Sequence, residues 1–137
     1  MNTQRGFTYL GLLVAVALLG LGLSAASEVW VKVVQRQKLE QLEFVGQQFA
    51  QAIGSYYESS PGGVKRYPKS LEDLLEDRRY PYVRRHLRQV YGNPFSGKAD
   101  WELVAAPEGG IRGVRTTVSS VEEGASATRE YVYVQGT

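Results

Sequence analysis

The N-terminal part of the chain is dominated by one uninterrupted apolar stretch. From Phe7 to Ala26, 20 residues in a row carry no charged side chain. A helix that crosses the core of a bilayer needs about 20 apolar residues, so the stretch predicts a membrane-spanning helix. A secretory signal peptide is the alternative, because the small residues at 24–26 imitate a cleavage site. The apolar core of a signal peptide is usually shorter than this stretch, roughly 7–15 residues.

Apolar residues keep a helical spacing after this stretch, at steps of three and four along one face. The positions are Leu42, Val45, Phe49, Ile53 and Tyr56. The sequence SSPGG at 59–63 then ends the pattern with residues that break helices. We therefore predict one long helix over 7–57, whose amphipathic second half needs a cover for its apolar face.

The C-terminal third contains three short runs in which apolar and polar residues largely alternate, as in strands. The runs are Trp101–Val104, Ile111–Val118 and Arg129–Val134. Before them, Ser70 is expected to cap a short helix whose first turn holds Glu72 and Asp73. The prediction is an α+β fold, in which the long helix packs on a small antiparallel sheet of about three strands.

Composition excludes several kinds of chemistry. The 137-residue chain has no cysteine and a single histidine, His86. This excludes a disulfide framework, a thiolate site and a multi-histidine metal site. The sequence contains no phosphate-binding loop, nucleophile elbow or zinc-protease motif, and no acidic spacing matches a calcium loop. We therefore expect a protein that is not an enzyme and that holds no metal or cofactor.

Five arginines are concentrated within twelve residues of the middle segment: Arg78, Arg79, Arg84, Arg85 and Arg88. Basic residues interleaved with tyrosines fit a patch that binds nucleic acid or anionic lipid. They also fit a charge network with nearby carboxylates, within the chain or between subunits, and an ordinary solvated surface. The net charge of +2 does not by itself indicate nucleic-acid binding. His86 is expected to be structural or exposed.

The first residues, MNTQRGFTYLGLLVAVALLG, place a short polar leader, a glycine and a phenylalanine directly before the apolar stretch. This order resembles the class III leader of the type IV pilin and type II secretion pseudopilin superfamily. The resemblance implies that a prepilin peptidase cuts between Gly6 and Phe7, and that Phe7 is then N-methylated. It implies a leader at 1–6, a transmembrane and filament-core helix at 7–27, and a periplasmic pilin-like head at 28–137 that includes the second half of the long helix.

The middle of the chain extends the resemblance to the heads of G-like pseudopilins. It rests on YPKSLEDLL at 67–75, Asn93-Pro94, and GKADW at 97–101. The implied fold agrees with the one predicted from periodicity.

Gly11 departs from the family pattern, which usually has a glutamate at the fifth mature position. In the family, that carboxylate pairs with the terminal amino group of a neighbouring subunit and sets the register of assembly. Gly11 has no side chain to make the pair. The departure implies a minor subunit rather than the principal one.

The resemblance also implies a location and partners. The chain would be a single-pass protein of the bacterial inner membrane, with its head in the periplasm and a place in a periplasmic pseudopilus. The implied partners are the prepilin peptidase, other pilins or pseudopilins, and the assembly platform protein with its ATPase. The alternative function is a minor pilin that binds DNA or a surface through the basic patch from Arg78 to Arg88.

Overall fold

The computed structural model describes residues 4–119 and 126–135, without the side chains of 4, 5 and 24–28. Residues 1–3 of the predicted leader lie outside the described residues. The chain divides into two compact units, Met1–Lys38 and Leu39–Thr137. Helix α1 covers Gln4–Glu58, which confirms the long helix predicted over 7–57.

The second unit adds a short helix and three strands to the end of α1. A 3-10 turn covers Pro61–Gly63 and helix α2 covers Glu72–Leu75. Strands β1, β2 and β3 cover Glu102–Ala105, Ile111–Ser119 and Ser126–Val132. Between α2 and β1, residues 76–101 contain no helix or strand.

The sheet is antiparallel with the strand order β1-β2-β3, so the three-stranded prediction is confirmed. The third strand begins earlier than its predicted start at Arg129. Strand β2 is nine residues long and offers backbone partners as far as Ser119, which pairs with Ser126. The last predicted residues lie beyond β3, although the Tyr133 amide still donates to the Arg112 carbonyl at 2.9 Å.

The start of α2 differs from the sequence prediction. Ser70 is not the N-cap, because that position belongs to Leu71 and no side chain caps it. Instead, Asp73 Oδ2 accepts the backbone N–H groups of Lys69 and Ser70 at 3.0 and 3.1 Å. A carboxylate in the first turn therefore orders the residues before the helix, where the dipole favours negative charge.

The core of the second unit lies between α1 and the sheet. All five predicted apolar positions from Leu42 to Tyr56 are buried. Phe49 is fully buried and meets the Trp101 ring edge-on, with the ring centroids 5.3 Å apart. Burying one such side chain stabilises the fold by about 1.5–3 kcal/mol. This row of side chains therefore fixes the sheet on the second half of α1.

Two glycines of α1 allow the end of the sheet to lie directly on the helix backbone. A Cβ atom at Gly46 would lie within 2.5 Å of three carbon atoms of the Tyr131 ring. A Cβ atom at Gly54 would lie 2.5 Å from Cδ2 of Tyr133. Any larger residue at either position would push a tyrosine off the helix, so both glycines are required by close packing.

Candidate assembly surface and basic cluster

The first half of α1 presents an apolar surface that the protein does not cover. The window Gly6–Leu23 has a mean hydropathy of 2.1, and none of it is buried. The helix is therefore long and apolar enough to span a membrane. An exposed apolar face of this size is unfavourable in water, so lipid or other helices are needed to cover it.

The residues of the predicted cleavage site lie in the first turns of α1. Gly6 is the third residue of the helix, and Phe7 follows with 81% of its surface exposed. A Cβ atom built on Gly6 meets nothing within 4 Å. Gly6 and Phe7 are therefore both exposed.

Gly11 lies in the same exposed surface, four residues after Phe7. A Cβ atom built there also meets nothing within 4 Å. The described residues leave space for a larger side chain at this position, including the glutamate that the family pattern leads one to expect. The absence of that carboxylate is therefore not forced by packing within the chain.

Arg79 belongs to a buried charge network and not to an exposed basic patch. Its Nε and NH2 groups donate to Oδ1 and Oδ2 of Asp77 at 2.8 and 2.7 Å, in a two-pronged ion pair. The guanidinium also stacks on the ring of Tyr56, 3.5 Å from its centroid. For Arg79 this selects the charge network within the chain, one of the alternatives that the sequence left open, over the exposed basic patch.

Asp77 is the centre of this network, with a fully buried side chain. Burial acts to raise the pKa of Asp77, but hydrogen bonds from Arg79 and His86 outweigh it and hold the pKa at about 2. Asp77 is therefore ionised at neutral pH. A buried carboxylate of this kind is stable only because a cation and several donors face it.

His86 joins the network to helix α1. Its Nε2 lies 3.1 Å from Oδ2 of Asp77, and its Nδ1 lies 2.8 Å from Oγ of Ser55. Because ionised Asp77 can only accept, Nε2 of His86 is the donor in that contact. The side chains have the composition of a hydrolase triad, but the imidazole is 1% exposed. It links α1 to the irregular segment and is closed to a substrate.

The other four arginines are more open. Arg84 lies over the ring of Tyr80 at 4.9 Å, and Arg78 is exposed, with its NH2 group 4.0 Å from Oε2 of Glu76. Arg85 and Arg88 are exposed and have no ion pair among the described residues. Arg85 and Arg88 lie at one groove. The structure therefore separates Arg79, whose side chain is mostly buried, from the four more exposed arginines.

That groove has a volume of about 520 Å³ and lies beside α2. Besides Gln89, it is lined by three apolar residues, Leu75, Val83 and Val90, and by three charged residues, Glu76, Arg85 and Arg88. We refer to these six residues as the basic groove.

Sequence reasoning included Asp77 only among several carboxylates that could neutralise the arginines, and it did not identify Ser55. A serine on the helix and an aspartate after α2 are each ordinary surface residues when they are read along the chain. Within the described ranges, no three histidine, cysteine or acidic residues cluster as metal ligands. No protein-family model, curated protein or solved structure matches this chain.

Proposed function

We propose that this chain is a structural, pilin-like subunit of a type II secretion or type IV pilus-like system. One observation carries the proposal: Gly6 and Phe7 begin the apolar window of α1, Gly6–Leu23, none of which is buried. The register of leader, glycine, phenylalanine and apolar helix is the one that a prepilin peptidase processes in that superfamily.

In the proposed mechanism, the leader is removed and the apolar helix remains on the mature chain. The helix first holds the subunit in the bacterial inner membrane, with the head in the periplasm, and later packs laterally with other helices in the filament. Association of helices in lipid depends on close packing, which small residues favour. Gly11, Gly20 and Gly22 supply such positions, and a Cβ atom built on each meets nothing within 4 Å.

Gly11 supports a minor role within this function. The interaction between a carboxylate and a neighbouring amino group is strong in a medium of low dielectric constant. A chain without that carboxylate cannot set its register below an identical copy in this way. We therefore propose that the subunit occupies a minor position, with other pilins, the assembly platform protein and its ATPase as partners.

The test is coexpression of the full chain with a prepilin peptidase, followed by mass spectrometry of the N-terminus. We expect a product that begins at Phe7 and carries one additional methyl group. The control is Gly6→Leu, which puts a bulky side chain at the cleavage site and is expected to leave the leader attached.

Two outcomes would contradict the proposal. A product that begins after residues 24–26 would indicate a secretory signal peptide. An uncut chain with the natural Gly6, in cells that process a known prepilin, would remove the leader interpretation altogether.

A further inference from the structure

The head contains a long stretch without acidic residues, which begins directly after Asp77. Residues 78–99 include six basic residues and no aspartate or glutamate. The basic residues are Arg78, Arg79, Arg84, Arg85, Arg88 and Lys98. The small net charge of the whole chain, +2, therefore conceals a local excess of positive charge, which attracts polyanions.

Hydrogen bonds to α2 fix the backbone that carries Arg85 and Arg88. The amides of His86 and Leu87 both donate to the Leu74 carbonyl, at 2.8 and 2.9 Å. The side chains of His86 and Leu87 are buried, whereas the neighbouring Arg85 and Arg88 are exposed. The two arginines therefore project from a backbone that is already ordered, which lowers the entropy cost of binding a ligand.

Two tyrosines lie among the arginines and add aromatic surface. The rings of Tyr80 and Tyr82 have their centroids 5.4 Å apart, and the Arg84 guanidinium lies over the Tyr80 ring, 4.9 Å from its centroid. The Tyr80 hydroxyl donates to the Ser59 carbonyl directly after α1, so this ring is anchored. Tyr82 is 60% exposed and Val83 is 71% exposed. Aromatic and aliphatic surface therefore faces solvent beside the positive charges.

A ligand that matches all of this surface needs both anionic groups and flat apolar faces. Single-stranded nucleic acid has both, because its phosphates are charged and its bases are free to stack on aromatic rings and guanidinium planes. A duplex encloses the faces of its bases, so it can use the arginines but not Tyr82. An acidic polymer without rings uses only the charges. The exposed tyrosine among the arginines therefore favours a single strand.

We propose that this surface beside α2 binds single-stranded nucleic acid, an activity that goes beyond the proposed function and does not depend on it. We refer to it as the arginine-tyrosine surface, and its members are Arg78, Tyr82, Arg84, Arg85 and Arg88. Arg85 and Arg88 make no ion pair within the described residues, so their guanidinium groups are available to phosphates. Tyr82 stacks on a base, and the basic groove, with a volume of about 520 Å³, gives room beside it.

The salt dependence of binding tests the role of the arginines. The full chain in nonionic detergent is titrated into a fluorescent, mixed-sequence single strand of DNA, and the anisotropy is recorded at several salt concentrations. Each phosphate contact contributes about 0.7 to the slope of log Kd against log salt, so Arg85→Gln with Arg88→Gln should lower that slope by about 1.4. The control, Arg66→Gln with Lys69→Gln, removes the same charge from exposed positions outside the surface and should change the slope much less.

Substitution of Tyr82 tests whether a base stacks on the surface. Tyr82→Ala should weaken binding of the single strand about tenfold, whereas Tyr82→Phe keeps the ring and should bind like the natural chain. A duplex of the same sequence should bind Tyr82→Ala and the natural chain equally, because it offers no free base face. Tyr82 is mostly exposed, so an unchanged melting temperature of Tyr82→Ala will show that the head is folded.

Four results would overturn the inference: no binding at low salt, equal effects of the two charge-neutralising pairs, no effect of Tyr82→Ala, or competition by polyglutamate as strong as by the unlabelled strand. Loss of DNA binding in bilayers that contain phosphatidylglycerol would assign the arginines to the membrane surface instead. Processing at Gly6 separates this inference from the proposed function. Normal processing without DNA binding contradicts only the inference, and DNA binding by a chain that the peptidase never cuts contradicts only the proposed function.

Discussion

Substitution of Gly46 by alanine provides a direct test of how the sheet is attached to α1. The new methyl group would lie within 2.5 Å of three ring carbons of Tyr131, far inside normal contact distance. Helix backbone cannot yield easily, so the ring must move. Tyr131 is one of the buried core residues, and its movement would expose aromatic surface.

Two opposing contributions determine how much Gly46→Ala changes the free energy of unfolding. Alanine favours the helix over glycine by up to about 1 kcal/mol. Expelling the buried ring costs about 1.5–3 kcal/mol, the amount that its burial contributes. The ring term is the larger one, so we expect a net loss of about 1–2 kcal/mol in the free energy of unfolding. For a domain of this size, that lowers the melting temperature by roughly 4–15 °C.

The assay is thermal unfolding of the full chain in detergent, followed by near-UV circular dichroism of the tyrosines. Gly20→Ala is the control, since its methyl group meets nothing within 4 Å and the head should melt unchanged. In a Tyr131→Ala background the clash is absent, so Gly46→Ala should now stabilise the head through helix propensity alone. A melting temperature that rises on Gly46→Ala in the natural background would refute the packing described for Tyr131.

The pKa of Asp77, held at about 2 against an ordinary value of 3.8, predicts an acid-dependent stability. A lowered folded-state pKa stabilises the fold above the unfolded pKa, and that contribution, on the order of 2 kcal/mol, is lost as the pH falls from about 4 to 2. For Asp77→Asn, the free energy of unfolding should be lower at neutral pH and should fall less steeply in acid than that of the natural chain. An equally steep fall in both proteins would contradict the network. Gly11→Glu should increase incorporation into filaments when the natural chain and the variant are compared in one assembly strain. Equal incorporation would mean that the missing carboxylate does not restrict the subunit.

The sequence permits accurate prediction where periodicity alone determines structure. The stripe from Leu42 to Tyr56 predicted the buried face of α1, because helical spacing places those side chains together whatever covers them. Alternation predicted the three strands in the same way. The start of β3 was less accurate, since it depends on how far β2 extends and not on the residues of β3 alone.

Contacts between distant side chains could not be predicted in this way. Ser55 and His86 are separated by 31 positions, and only the course of the irregular segment brings them to 2.8 Å. In the sequence, the glycines at 46 and 54 likewise indicate only low helix propensity. The close packing of Tyr131 and Tyr133 that requires them is visible only in the fold. For the candidate site, the leader at 1–6 stays a prediction from the sequence, whereas the separation of Arg79 from the other arginines required the fold.

The long stretch between α2 and β1 has a further consequence for the motions of the head. Loops of this length without regular structure are uncommon in compact domains. It is held by Leu87 in the core, by Asn93 Nδ2 donating to Thr116 Oγ1 at 2.9 Å, and by the Asp77 network. Polar bonds therefore add to apolar contacts in its attachment, since Trp101 is also buried and Val90, Tyr91 and Phe95 pack against the core. Protonation of Asp77 removes the ion pair from this attachment, so we expect the residues next to Asp77 to lose stability in acid while the sheet stays on α1.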